Sequence, residues 1–174
     1  MGTRPEVIKM APVILLLQSN KLFKCFVCIT SQHKELLEEA MQVFGLKADY
    51  DLDIMMHNQD SFDVSVKILG KIKPVITKTA PDLILIQGDT HTAFIGALAG
   101  FYSKIRIGHI EAGLRTYRRD EPYPEELNRQ MISRLAELHF APTQTAKQNL
   151  LNENIEPSGI YVTGNTGIDA LNHI

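Results

Sequence analysis

The chain has 174 residues, 44% hydrophobic and 22% charged, which is ordinary usage for a folded domain and excludes disorder or collagen-like repeats. Its 18 basic and 20 acidic side chains leave a formal charge of −2, so no overall field draws nucleic acid or an anionic membrane, and any anion site must be local. There is no secretory apolar core and no apolar run near the ~18 residues of a membrane span, which makes the cytoplasm the expected compartment.

The chain opens MGTRPEVIKMAPVILLLQ. Val7, Ile8, Met10, Ala11, Ile14, Leu15 and Leu17 recur at helical spacing over 4–19, with Pro5 where a first turn tolerates it. A Gly-Thr turn into such a helix normally follows a buried strand, and only Met1 precedes it here. The first strand is therefore expected to be missing, and the chain to be cut where the fold should begin. FKCFVCIT, 23–30, reads as a strand. Cys25 and Cys28 within it would point to opposite faces, which argues against a shared metal or redox pair and for two buried small apolar side chains. HKELLEEAMQVFG reads as an amphipathic helix closed by Gly45, and a further helix spans 61–79, broken or kinked at Pro74.

From there the pattern is regular. The apolar run DLILIQGD (82–89) leads into the helical HTAFIGALAGFY; the strand IRIGHIE (105–111) is followed by a long loop and the helix PEELNRQMISRLAE (124–137). LHFAP, the helix TQTAKQNLLNEN, the strand IYVTG and the helix NTGIDALNHI complete the series. Strands that alternate with helices and lack a polar face imply an α/β fold, a doubly wound parallel sheet forming a single domain over 1–174.

Parallel sheets bind ligands at the carboxyl ends of their strands. The residues at those exits are Gln32 and His33, Asp89, Glu111, Pro142 and Thr143, and Gly164 and Asn165, while the opening turn adds Arg4 and, a turn later, Lys9. Each has a bland alternative. Asp89 taken alone, like Thr90, reads as a helix cap. Glu111, an acid at the end of a buried apolar strand, needs a partner or a function, and Arg115 is a candidate partner. Glu125 and Glu126 sit in a first helical turn, where the helix dipole suffices to explain one of them. Arg115, Arg118 and Arg119 in the loop either hold phosphate or form a solvated surface run. His91 and His109 read as packed or capping residues, and no metal-site spacing links the six histidines, so no metal is expected. Neither a dinucleotide glycine fingerprint, nor an NTPase loop, nor a serine-nucleophile elbow occurs. Carboxylates and cations at one rim suit acid–base work on an anionic substrate.

The segments GTRPEVIKMAP, TSQHKELL, DYDLDIM, QGDTHT, GHIEAGLRT, PYPEELNRQ, APTQTAKQNLL and VTGNTGIDAL, in this order and spacing, resemble the non-hydrolysing UDP-N-acetylglucosamine 2-epimerases. The resemblance implies the N-terminal half of a glycosyltransferase-B arrangement of two Rossmann-like domains, with a strand before GTRPE and a nucleotide-binding domain after the match. It implies conversion of UDP-GlcNAc to UDP-ManNAc by elimination of UDP and re-addition. By motif position Asp89, Glu111 and Glu125 match the catalytic acids and Arg4 and Lys9 the cationic active-site residues; Arg115 and Asn165 complete the expected substrate-binding set. No cofactor is implied. The implied partners are a UDP-sugar substrate, a second copy in a homodimer and a separate chain carrying the C-terminal domain, without which the fragment is expected to be inactive. Alternatives are an epimerase of a related UDP-2-acetamido sugar and a non-catalytic remnant or assembly module. Gln32, His33, Lys34 and Asn58 fall where many family members bind an activating second UDP-GlcNAc, but Lys34 stands in place of an arginine.

Overall fold

The computed structural model describes residues 1–31, 34–55 and 60–172. The expected activator positions Gln32, His33 and Asn58, and the side chain of Lys34, lie outside this description. The chain forms two compact units, Met1–Val64 with Asn165–Ile174, and Ser65–Gly164.

In the first unit, α1 (Arg4–Ser19) begins on the expected turn. The buried Glu6 accepts hydrogen bonds at 2.8 Å from the backbone N–H groups of both Gly2 and Thr3, satisfying donors that a helix start leaves open. Of the expected strand 23–30, only β1 (Cys28–Ile29) forms, pairing in parallel with β2 (Tyr50–Asp51), an element that sequence reading missed. On its other side Met1 bridges β1 as a single strand residue would: Met1 N donates to Cys28 O, and Thr30 N to Met1 O, both at 2.9 Å. A strand needs a ladder, and composition cannot create one. Leu22 and Phe23 accordingly stay exposed. Cys25 and Cys28 are free thiols, half-buried rather than buried, and that burial raises the pKa of each. The helix α2 (Lys34–Val43) ends as expected at Gly45, where Gly45 N bonds to Gln42 O and Leu46 N to Met41 O.

α3 (Ser61–Thr79) runs through Pro74 without interruption and leads into the second unit. There β3 (Leu83–Gln87), α4 (His91–Tyr102), β4 (Arg106–Ile110), α5 (Glu125–Leu135), β5 (Leu138–Ala141), α6 (Gln144–Asn152) and β6 (Ile160–Val162) alternate as expected. The four strands are all parallel, in the order β3-β4-β5-β6. A single turn of 3-10 helix, Pro157–Gly159, precedes β6. α7 (Thr166–Leu171) returns to the first unit, where it packs against α1.

The core of the second unit follows from the alternation of strand side chains. Ile86 and Ile107 meet Ala93, Ala97 and Ile132 of α4 and α5, while Ala141 and Ile160 meet Ala146 and Leu150 of α6. His109 and His139 face each other across β4 and β5, both fully buried.

Candidate active site at the strand exits

β3 and β4 pair in register up to Gln87 opposite Ile110, so the two strands end level. Past that pair Gly88 N donates to Ile110 O at 3.0 Å. The chain then turns at Gly88 (φ +72°) and at Glu111 (φ +70°). Glycine takes such a φ freely, whereas a glutamate held there stores on the order of 1–3 kcal/mol of strain, a signature that concentrates at functional positions.

His109 fixes this corner from inside the sheet. Its Nε2 lies 2.7 Å from the carbonyl oxygen of Gly88, which can only accept, so Nε2 carries the hydrogen. Nδ1 is then a bare lone pair, buried and without a hydrogen-bond partner among the described residues. Burial lowers the pKa of His109 to about 3, against a smaller opposing pull from the Gly88 bond, and the charges of His139, Arg115 and Arg129 push it the same way as burial. The ring is a neutral strut.

Asp89 does not cap α4. Thr90 does, its hydroxyl accepting from Ala93 N at 3.1 Å. The Asp89 carboxylate instead meets Arg129 of α5, Oδ2 to Nη2 at 2.6 Å, and Asn128 donates to the backbone oxygen of Asp89 at 2.9 Å. Arg129 also donates to the backbone oxygen of Glu125 at 3.3 Å. The first turn of α5, which carries the half-buried Glu125, is thereby docked onto the exit of β3. One carboxylate oxygen of Glu111 receives Gln87 Nε2 at 2.6 Å. Arg115, the expected partner, turns elsewhere.

The buried Glu126, not Glu125, is the structural acid of the pair. It accepts from Thr116 N at 3.0 Å, Tyr117 N at 3.1 Å and Gln130 Nε2 at 2.8 Å, pinning the loop before α5. Burial pushes its pKa up, but the Thr116, Gln130 and Tyr117 bonds outweigh this and leave it lowered. The side chain of Arg115 is wholly buried and grips Glu153 at 2.7 and 2.9 Å and Ser133 at 2.8 Å. With its guanidinium committed to the protein, it anchors the loop to α6. Arg118 and Arg119 make exposed ion pairs with Glu121 and Asp120, the solvated-run alternative, and such pairs contribute little stability. His91 bonds to Ser65 at 2.8 Å.

In the first unit, Arg4 is exposed on the first turn of α1. Asn165 caps α7, accepting from Gly167 N at 2.9 Å, and a Cβ built at Gly167 would stand 3.8 Å from Lys9 Cγ. Lys9 and the turn bearing Asn165 are thus neighbours. Sequence reading missed Gln87, Asn128 and Arg129, and it did not tell the roles of Glu125 and Glu126 apart. Gln87 had a visible signal as the only polar residue in LILIQ, and Asn128 and Arg129 fall one helical turn after Glu125.

Such an arrangement defines a parallel α/β fold that gathers carboxylates where strands of this class hand ligands to helix N-termini. Residues 16–174 match the profile of the UDP-N-acetylglucosamine 2-epimerase family, and the chain belongs to that family. A Neisseria meningitidis UDP-N-acetylglucosamine 2-epimerase is 52% identical over 170 residues, 98% of this chain and 46% of its own length. A crystal structure of a Neisseria meningitidis UDP-GlcNAc 2-epimerase bound to UDP-GlcNAc, 52% identical, superposes with a TM-score of 0.94, covering 98% of this chain and 46% of that one. The Methanocaldococcus jannaschii enzyme in complex with UDP-GlcNAc and UDP matches at 38% identity and a TM-score of 0.91, covering 97% of this chain and 46% of that one. The chain spans about half the length of the curated relatives it matches. Among the described residues no helix is long and apolar enough to cross a membrane, and no three His, Cys, Asp or Glu side chains cluster as a metal site.

Proposed function

We propose that this chain carries the acidic half of a UDP-GlcNAc 2-epimerase active site and works with a second nucleotide-binding domain. The observation that carries this reading is the placement of Asp89 and Glu111 just past the level ends of the paired strands β3 and β4, with the first turn of α5 clamped to Asp89. Family membership and the UDP-sugar complexes of the relatives support the substrate class.

The C2 hydrogen of the sugar is a poor acid, so its removal has to accompany departure of UDP from C1. The C2 proton goes to a carboxylate, the C1–O bond breaks with its electron pair leaving on UDP, and a 2-acetamidoglucal remains. Returning a proton to the opposite face of C2 as UDP re-adds at C1 gives UDP-ManNAc. Asp89, Glu111 and Glu125 supply the carboxylates for proton movement and for stabilising positive charge at C1. Arg4, Lys9 and Asn165 serve as substrate contacts, whereas Arg115, closed on Glu153 and Ser133, holds the loop in place. The reaction removes and returns a proton rather than a hydride and calls for no nicotinamide. The reading includes a cytoplasmic location, association of two copies, and a nucleotide-binding domain that completes the site.

Incubation with UDP-GlcNAc in deuterated buffer, alone and with a chain carrying the second domain, tests it. Deuterium at C2 of UDP-ManNAc formed by the combination is the expected result. No exchange by the combination would overturn the proposal.

A further inference from the structure

Gln87 is the only polar side chain of β3 and is 5% exposed. A carboxamide at such a position is costly unless its hydrogen bonds are made, and an aliphatic residue would pack there as well. Its Nε2 reaches across to Glu111 Oε2 at 2.6 Å. Glu111 has left the ladder at φ +70°, so the regular pairing of β4 no longer fixes its side chain. The turn leaves room for the contact, since a Cβ built at Gly88 would stand 3.6 Å from the same oxygen. The backbone beneath is held by Gly88 N to Ile110 O at 3.0 Å and by His109 on Gly88 O.

We propose that Gln87 is a positioning residue that orients the carboxylate of Glu111 through a hydrogen bond from a neutral donor. A guanidinium at this place would neutralise the acid and depress its basicity; a carboxamide aligns one oxygen and leaves the charge in place. The proposal deepens the epimerase reading, on which its consequence for catalysis rests.

Nuclear magnetic resonance on carbon-13- and nitrogen-15-labelled chain tests the contact directly. The Gln87 side-chain amide, assigned by its loss in Gln87→Met, is expected to titrate with the same midpoint as the Glu111 carboxyl carbon, and to stop titrating in Glu111→Gln. Gln87→Met, of similar volume, removes the donor and raises the Glu111 midpoint; Gln87→Glu raises it further, by about one pH unit or more, because two adjoining carboxylates resist joint ionisation. The charged and titratable groups on the elements packed against β4 are His91 and Tyr102 of α4, Glu125, Glu126, Arg129 and Arg134 of α5 and His139 of β5, with Asp89 in the turn after β3, and these are unchanged across the variants. A Gln87 amide indifferent to Glu111 ionisation, or one Glu111 midpoint in the parent and both Gln87 variants, overturns the proposal. Absence of C2 exchange would instead sink the epimerase reading and leave these resonances untouched.

Discussion

Arg129 holds Asp89 at 2.6 Å although the two lie on different elements, and the adjacent Asn128 grips the backbone of the same aspartate at 2.9 Å. The Arg129 side chain is 12% exposed and that of Asp89 29%, so the pair is well shielded without being dry. Removing one partner leaves a charge short of its counter-charge. Arg129→Ala is expected to cost about 2–3 kcal/mol in urea unfolding. Arg129→Lys, which keeps the charge and loses the planar fork, should fall between parent and alanine. Equal losses for both would show that packing, not the ion pair, holds α5 to the strand exit.

Glu126 and Glu125 are sequence neighbours with opposite duties. Glu126→Gln replaces an acceptor oxygen with a donor facing the N–H groups of Thr116 and Tyr117, at an expected cost of about 2–4 kcal/mol. Glu125→Gln should change stability by less than about 0.5 kcal/mol while reducing C2 exchange in the complemented enzyme. Parallel unfolding curves and exchange assays on the two variants check this reversal.

The buried histidines are expected to make the second unit acid-sensitive. Burial lowers His109 to about 3 and His139 to about 4, with a backbone bond at Ala136 opposing the second shift and Arg115 adding to it. An unfolded chain protonates both near pH 6.5 while the native state does not, so unfolding takes up protons. Stability is unaffected above about pH 6.5 and falls as pH drops from there toward 4, by up to about 1.4 kcal/mol per pH unit for each ring. Glu126, with its lowered pKa, adds a loss at still lower pH, as the medium falls through its folded value. Urea midpoints from pH 7.5 to 4.5 should show the slope. His109→Gln, which can keep a donor on Gly88 without titrating, should show a shallower one.

Gly113 stands at φ +87°, and a Cβ there would strike the carbonyl of Ala146 and approach Leu150 Cγ to 3.0 Å. Gly113→Ala is expected to lose about 3 kcal/mol or more, since backbone on α6 cannot yield as a side chain would. Gly70→Ala, on the exposed side of α3 with nothing within 4 Å of its Cβ, should gain about 0.4–1 kcal/mol. Thermal melts of both provide opposite controls.

Much of this protein is legible along the chain. The periodicity of HTAFIGALAGFY places α4 at His91–Tyr102, and that of residues 4–19 places α1, because helix hydrogen bonds span only a few residues and their apolar stripe repeats locally. The apolar runs ending at Gln87 and Ile110 likewise announce the strand exits and hence Asp89 and Glu111. Strand length was another matter: 23–30 has the composition for a strand, yet only Cys28–Ile29 forms one, since a strand is completed by neighbours distant in sequence. Pairings were also beyond local reading. Asp89 suits a cap by residue type, and only tertiary contact with Arg129 and Asn128 gives it another role. Glu125 and Glu126 are chemically alike, and burial against the folded loop separates them. Residue types and local spacing thus determined the helices, the strands of the second unit and the acids at their exits, while contacts across tens of residues decided what each acid holds, because hydrogen-bond and charge partners are chosen by distance in space.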